Sequence, residues 1–124
     1  MTENILKYKG SIPENICFLH ADAFLLPFKE NTFTTVLSEN LLHCLNNTGI
    51  LLQQLKRIVS ENGKMYFTTL VRVNRIADKY LEMLSNKGKL VSRNVTAHKR
   101  IFEQVGLPAE YKVTGSLLAI KGYK

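Results

Sequence analysis

Short apolar runs alternate with helical stripes along this chain, and that order limits the folds it can adopt. The apolar runs are Ile16–Leu19, Phe33–Leu37 and Met65–Leu70. After the second run, apolar residues recur at helical spacing, as at Leu51 and Leu55. Such alternation predicts an α/β domain, because each helix returns the chain to the start of the next parallel strand.

Three longer helices are predicted, each with a polar residue that can cap its start and a glycine near its end. The first helix would begin at Asn47 or Thr48 and end at Asn62-Gly63. The second would begin at Asn74 and end near Gly88, and the third would begin at Thr96 and end at Gly106. A short opening helix is predicted at Ile5-Leu6.

The chain ends in a predicted hairpin. Tyr111 to Val113 and Leu117 to Ile120 flank Gly115-Ser116, a Gly-X pair suited to a two-residue turn. We therefore expect an α/β fold with a mainly parallel sheet, helices on both faces and a C-terminal antiparallel hairpin.

Composition fits one folded domain and excludes several other classes of protein. Hydrophobic residues make up 45% of the 124 residues and charged residues 22%, which excludes a disordered tail or a collagen-like repeat. The apolar runs are far shorter than the ~20 residues that span a bilayer. Met1 to Lys9 does not resemble an export leader, so we expect a cytoplasmic protein without a membrane partner. Cys17 is predicted to be a buried thiol because its neighbours are apolar.

The net charge of +7 is concentrated in the second half of the chain, where residues 63–124 carry 12 basic and 4 acidic residues. The basic residues are scattered, and the aromatic residues Phe67, Phe102 and Tyr111 follow core positions. No nucleic-acid recognition motif is present. We therefore expect a solvated basic surface rather than a nucleic-acid partner; a nucleic-acid surface on this half of the chain is the less favoured alternative, and its binding would weaken steeply with added salt.

Polar side chains follow the predicted strands, at ends that meet along one edge of a parallel sheet. His20 and Asp22 follow the first run, and Ser38 to His43 follow the second. These residues also have structural interpretations: Asp22 is typical of a turn, His43 of a helix-surface or a satisfied interior histidine, and His98 of a solvated helix face. His20 and Asp22 alone do not make a metal site, so no metal is predicted.

The stretch Asn15 to Ala23, followed by Leu26-Pro27-Phe28, Ser38 and Leu42-His43, resembles the class I S-adenosylmethionine-dependent methyltransferases, in particular methyltransferase type 11. Gly106 before the final hairpin matches the same family, and the resemblance covers nearly the whole chain. It implies a Rossmann-like sheet, S-adenosylmethionine as cofactor, and methyl transfer to a small molecule.

The resemblance also implies roles for individual residues. Asp22 would accept a hydrogen bond from the adenine amino group, while the Ala23 N–H would contact the ring and Leu26 would cover its face. Ser38 would line the pocket near the methyl-bearing sulfur. His43 would orient the substrate or accept its proton.

Two features of the family are absent from this sequence. Its seven glycines form no GxGxG turn, and the acid that usually holds the ribose is missing. The resemblance therefore implies a single domain of residues 1–124 with an incomplete sheet that lacks the first strand–helix–strand unit.

Such a sheet would leave Phe33–Leu37 with an unpaired apolar edge, which favours pairing with another chain. Ile16–Leu19 could move across to pair with it, two chains could pair, or a separate polypeptide could supply the missing strand. We expect a homodimer, the commonest symmetric assembly. The alternative to an enzyme is a methyltransferase-like domain without catalysis that acts through protein association.

Overall fold

The computed structural model describes residues 13–73, 76–88 and 90–124. They form four strands, three α-helices and a 3₁₀ turn at Leu42–Cys44. The strands are β1 (Phe33–Glu39), β2 (Val59–Leu70), β3 (Ala109–Thr114) and β4 (Leu117–Tyr123), and the helices are α1 (Thr48–Ile58), α2 (Ile76–Asn86) and α3 (Val95–Val105). The predicted opening helix at Ile5-Leu6 and the predicted cap Asn74 lie outside the described residues.

The strands form one mixed sheet in the order β1-β2-β4-β3. β1 and β2 are parallel, whereas β4 is antiparallel to both of its neighbours. The α/β fold and the C-terminal hairpin at Gly115-Ser116 are confirmed. The hairpin places β4 between β2 and β3, so one of the described strand pairings is parallel and two are antiparallel.

One face of the sheet is buried beneath α1 and α3. Met65, Phe67 and Thr69 alternate along β2 toward this face and are buried, and the Phe67 ring meets that of Phe102 on α3 edge to face at 5.3 Å. Tyr66 points to the opposite face, on which none of the described helices packs. Within residues 13–73, 76–88 and 90–124, the sheet therefore has one face packed against helices, the core face, and one face without a helix, which we call the open face.

Helix α1 ends at Ile58, well before the predicted end at Asn62-Gly63. The carbonyl groups of Arg57 and Ile58 accept hydrogen bonds from the N–H groups of Asn31 and Thr32. These carbonyls face the incoming loop, and the next residue already begins β2. The prediction missed this end because its cause lies in a distant segment of the chain.

No strand forms at Ile16–Leu19, so that prediction was wrong. Ile16 is 44% exposed and Leu19 is 58% exposed, and Cys17 is exposed rather than buried. An apolar run becomes a buried strand only where neighbouring strands flank it. In the described part of the chain, the end strand β1 pairs with β2 alone, so no strand flanks this run.

The caps of α1 and α3 provide a matched test of the fold. Asn94, rather than the predicted Thr96, caps α3, and its side-chain oxygen accepts a hydrogen bond from the Ala97 N–H at 2.8 Å. Asn47 precedes α1 but makes no such bond. We expect Asn94→Ala to lower the free energy of unfolding by about 1 kcal/mol and Asn47→Ala to lower it by clearly less. Urea unfolding measures both values, and equal losses would contradict the assignment.

Candidate functional site

A cavity of about 370 Å³ lies beside β1. Its walls are largely apolar and come from the preceding loop, from β1 and from α1: Ala23, Leu26, residues 36–39, Leu41, Leu51 and Leu55. Since side chains alternate between the two faces of a strand, four successive residues of β1 can border the cavity only along the strand's edge. The cavity therefore lies along the free edge of the sheet.

Two side chains of α1 hold the loop that forms one wall of the cavity. Arg57 donates hydrogen bonds to the carbonyl oxygens of Phe28 and Leu26, at 2.6 Å and 2.9 Å. Gln54 Oε1 accepts the Leu26 N–H at 3.1 Å and a guanidinium N–H of Arg57 at 3.0 Å. Both backbone polar groups of Leu26 are thus bound to α1, and charge-assisted bonds are the stronger kind. Neither Gln54 nor Arg57 was predicted to shape the site.

Asp22 lies in the turn that begins this loop. Its Oδ1 accepts the Phe24 N–H at 2.8 Å, and its carbonyl oxygen accepts the Leu25 N–H at 3.1 Å. Asp22 therefore acts as a turn residue, which is the structural interpretation that its position after an apolar run also allowed. Asp22 is exposed and does not line the cavity, although the next residue, Ala23, does.

Ser38 lies in the cavity wall with an unsatisfied hydroxyl group. The residue is only 9% exposed, and its Oγ is buried without a hydrogen-bond partner in the described part of the chain. An unpaired buried hydroxyl costs roughly 1–3 kcal/mol.

His43 lies on the 3₁₀ turn after β1, apart from the lining of the cavity. Its Nδ1 accepts the Leu70 N–H at 3.2 Å and lies 3.1 Å from Thr69 Oγ1. Because Nδ1 is the acceptor, the proton of the neutral ring lies on Nε2. Burial lowers the pKa of His43, which keeps the ring neutral.

His98 is buried, so the prediction of a solvated helix face was wrong. It is 1% exposed and lies one helical turn from Phe102, on the same side of α3. Its Nε2 has no hydrogen-bond partner among the described residues. Burial, followed by the charges of Arg93 and His43, lowers the pKa of His98 from 6.5 to about 4.

The structure places three of the five predicted site residues, Ala23, Leu26 and Ser38, in one cavity. Glu39 and Leu41, which belong to the segment Ser38 to His43 that follows β1, also line the cavity, as expected at the carboxyl end of a strand. Across residues 13–73, 76–88 and 90–124, no group of three or more His, Cys, Asp or Glu residues could hold a metal ion. No helix in those ranges is both long and apolar enough to cross a membrane.

Comparisons with known sequences identify the family of this chain. A family model described as a methyltransferase domain matches residues 2–67. The ubiquinone/menaquinone biosynthesis C-methyltransferase UbiE of Coxiella burnetii is 25% identical over 116 residues, which are 89% of this chain and 46% of that protein. The chain therefore spans about half the length of the curated relatives it matches.

Comparisons with solved structures show the same fold. A chain of a complex that contains the Trm112 methyltransferase activator of Haloferax volcanii superposes with a TM-score of 0.79 at 15% identity, over 99% of this chain and 67% of that chain. An S-adenosylmethionine-dependent methyltransferase from Aquifex aeolicus gives 0.73 at 14% identity, over 98% of this chain and 60% of that chain.

The buried His98 makes stability depend on pH. The unfolded chain binds a proton there near pH 6.5, whereas the folded chain does not until about pH 4. We therefore expect the free energy of unfolding to fall by about 3 kcal/mol as the pH drops through this interval, because the unfolded state binds more protons. Urea unfolding across this pH range measures the effect. His98→Leu should flatten the curve, and the exposed His20→Gln should not; an unchanged curve for His98→Leu would contradict the assignment.

The family model covers more than half of the chain, and the solved structures share its sheet and helices over nearly all of it. The cavity also gathers Ala23, Leu26 and Ser38, which the resemblance had assigned to one site. This chain therefore belongs to the methyltransferase domain family, and its fold is that of the class I S-adenosylmethionine-dependent methyltransferases.

Proposed function

We propose that this protein transfers a methyl group from S-adenosylmethionine to a small molecule, and that the cavity beside β1 holds the adenine end of the cofactor. One observation carries the proposal: Ala23, Leu26 and Ser38 line one largely apolar cavity, and the buried hydroxyl of Ser38 has no hydrogen-bond partner among the described residues. An apolar slot with a few polar groups suits a flat aromatic ring with polar edges. The naming of UbiE as a C-methyltransferase of ubiquinone and menaquinone biosynthesis supports a small-molecule acceptor.

The residues present fit one end of the cofactor. Leu26 and Leu41 offer apolar faces, and Glu39 and the neighbouring Asp22 offer carboxylates that can accept hydrogen bonds from an amino or hydroxyl group. No glycine-rich turn for the amino-acid end occurs in the sequence. We therefore propose that residues 1–124 form a single domain that corresponds to the part of the family's fold after its first strand–helix–strand unit.

His43 would orient the methyl acceptor. S-adenosylmethionine carries its methyl group on a sulfonium, and that activated methyl is the chemistry it would supply here. The chain's own part is proximity and alignment. The Leu70 N–H of β2 already donates a hydrogen bond to Nδ1 of His43. His43 would therefore present its Nε2–H to the acceptor as a hydrogen-bond donor, which fits an orienting role better than that of a base.

Calorimetric titration with S-adenosylmethionine and with its demethylated product tests the cofactor site. We expect saturable binding that Asp22→Asn weakens about tenfold, because a hydrogen bond to a charged group contributes about 1.5–3 kcal/mol. Asn at this position can still accept the Phe24 N–H, so the turn is kept. Asp22→Ala removes both the turn acceptor and the carboxylate, so Asp22→Asn is the variant that tests the carboxylate alone.

The matched control is Glu103→Gln on α3, an exposed acid that does not line the cavity. It should bind the cofactor as the unaltered chain does. Absence of heat at millimolar ligand would contradict cofactor binding by this chain. An equal loss in Glu103→Gln and Asp22→Asn would contradict the placement of the site.

A second candidate function is protein association through the free edge of β1. β1 pairs with β2 alone among the described strands, and Leu37 on β1 is 67% exposed. Exposed apolar strand edges favour pairing with another chain. We propose a cytoplasmic homodimer joined along this edge; the complex of a structural relative with an activator protein supports association as a property of the fold.

The mass in solution tests the edge-paired dimer. Light scattering should give twice the mass of the chain, and Leu37→Lys should return it to the monomer, because a charge beside the edge opposes pairing. Ile76→Lys, at an 89% exposed position on α2, is the matched control and should leave the mass unchanged. A monomer at high concentration would contradict the dimer.

A further inference from the structure

The open face of the sheet carries an alternating pattern of lysine and tyrosine. In the register of β2 and β4, Lys64 lies opposite Tyr123 and Tyr66 lies opposite Lys121. Residues two apart on a strand share a face, so these four side chains lie together on the open face. We call them the Lys–Tyr quartet. They occupy the two central strands of the sheet.

The geometry within the quartet brings one cation to two rings. Lys121 Nζ lies 5.8 Å from the centroid of the Tyr66 ring and 5.4 Å from that of Tyr123. Both distances fall within the range of cation–π contacts. A hydrogen bond with Tyr123 is the main cause that raises the pKa of Lys121, which therefore stays charged.

A shallow cavity of about 360 Å³ adjoins the quartet on the same face. Thr68 and Ala119 form its floor, and Tyr66 forms one side. Lys112 and Lys121 border it, as does Glu110. Its polar rim and small-residue floor can receive a flat ring that stacks beside Tyr66.

The charge on this face favours an anionic occupant over a covering protein surface. An apolar helix packed here would bury Lys64 and Lys121 at its centre, and buried cations are costly without paired carboxylates. Glu110 on β3 lies opposite Lys121 in the register and can balance one of the two charges, whereas the partners of Lys64 in the register, Thr35 and Tyr123, carry no carboxylate. A polyanion would instead meet the lysines directly, and the whole chain carries a net charge of +7.

We propose that this open face binds single-stranded nucleic acid. Unpaired bases stack on Tyr66 and Tyr123, and the phosphates contact Lys64, Lys112 and Lys121. Aromatic platforms within a basic surface are the usual means of binding single strands, because every base has a face that can stack. The inference is independent of methyl transfer, since the cavity beside β1 takes no residue from the quartet.

Fluorescence anisotropy with a labelled oligothymidylate and a labelled oligouridylate, each of about twelve nucleotides, tests the proposal. We expect both to bind, with an affinity that falls steeply between about 50 mM and about 200 mM salt. The double variant Tyr66→Ala/Tyr123→Ala should weaken binding about tenfold or more, because each base–aromatic stack is lost. Tyr66→Phe/Tyr123→Phe keeps the rings and should retain most of the affinity, which separates stacking from a loss of folding.

Controls come from α2, where Tyr80 is 60% exposed and Lys79 is also exposed. Tyr80→Ala and Lys79→Gln should bind as the unaltered chain does, whereas Lys64→Gln/Lys121→Gln should weaken binding and flatten its salt dependence. A duplex of the same length should bind more weakly, because paired bases cannot stack on the rings. Absence of binding at low salt, equal losses in the α2 and quartet variants, or stronger binding of the duplex would each overturn the proposal.

Discussion

The alternation of side chains along β2 governs the layout of this molecule. Phe67 and Thr69 point into the core, whereas Lys64 and Tyr66 point to the open face. A shift of its register by one residue would exchange the two faces, burying a lysine and exposing Phe67. Gly63 of β2 has no room for a side chain: a Cβ there would lie 2.3 Å from a methyl carbon of Val59 and 2.7 Å from the carbonyl oxygen of Ser60, so only glycine fits.

The same strand positions the candidate site. Ser38 pairs with Phe67 in the parallel register of β1 and β2, which turns its hydroxyl toward the core side. Thr69 and the Leu70 N–H hold the His43 ring from the end of β2. The strand that carries the cavity wall and the histidine therefore both contact β2. The open face follows from the remaining alternate residues of β2, so the two proposed binding surfaces are separate: the cavity lies beside β1 and the quartet lies on β2 and β4.

Much of the fold could be predicted from local signals. The hairpin turn forms at Gly115-Ser116, and α3 ends at Gly106, which has a φ of 76°. Both features depend on residues that are close together in the sequence. The strand predicted at Ile16–Leu19 and the exposure predicted for His98 were wrong because each depends on what packs alongside. At the site, the resemblance led to Ala23, Leu26 and Ser38. The hydrogen bonds from Arg57 to the loop carbonyls could not be predicted, because they join segments far apart in the chain and leave no local signal. Strand pairing likewise interleaves lysines and tyrosines that lie in separate parts of the sequence, which is why the sequence predicted no such surface.

The exposed face and the exposed edge of this sheet differ in their physical consequences. The open face between β2, β4 and β3 belongs to the antiparallel part, and such sheets are stable with one face in water when polar side chains occupy it, as Lys112 and Lys121 do here. The outer edge of β1 belongs to the parallel part, where Leu37 is 67% exposed beside unpaired backbone. Parallel strands are normally covered on both sides. Among the described residues, the open face therefore carries side chains suited to water, whereas the edge of β1 exposes an apolar side chain and unpaired backbone, the feature on which the proposed association at this edge rests.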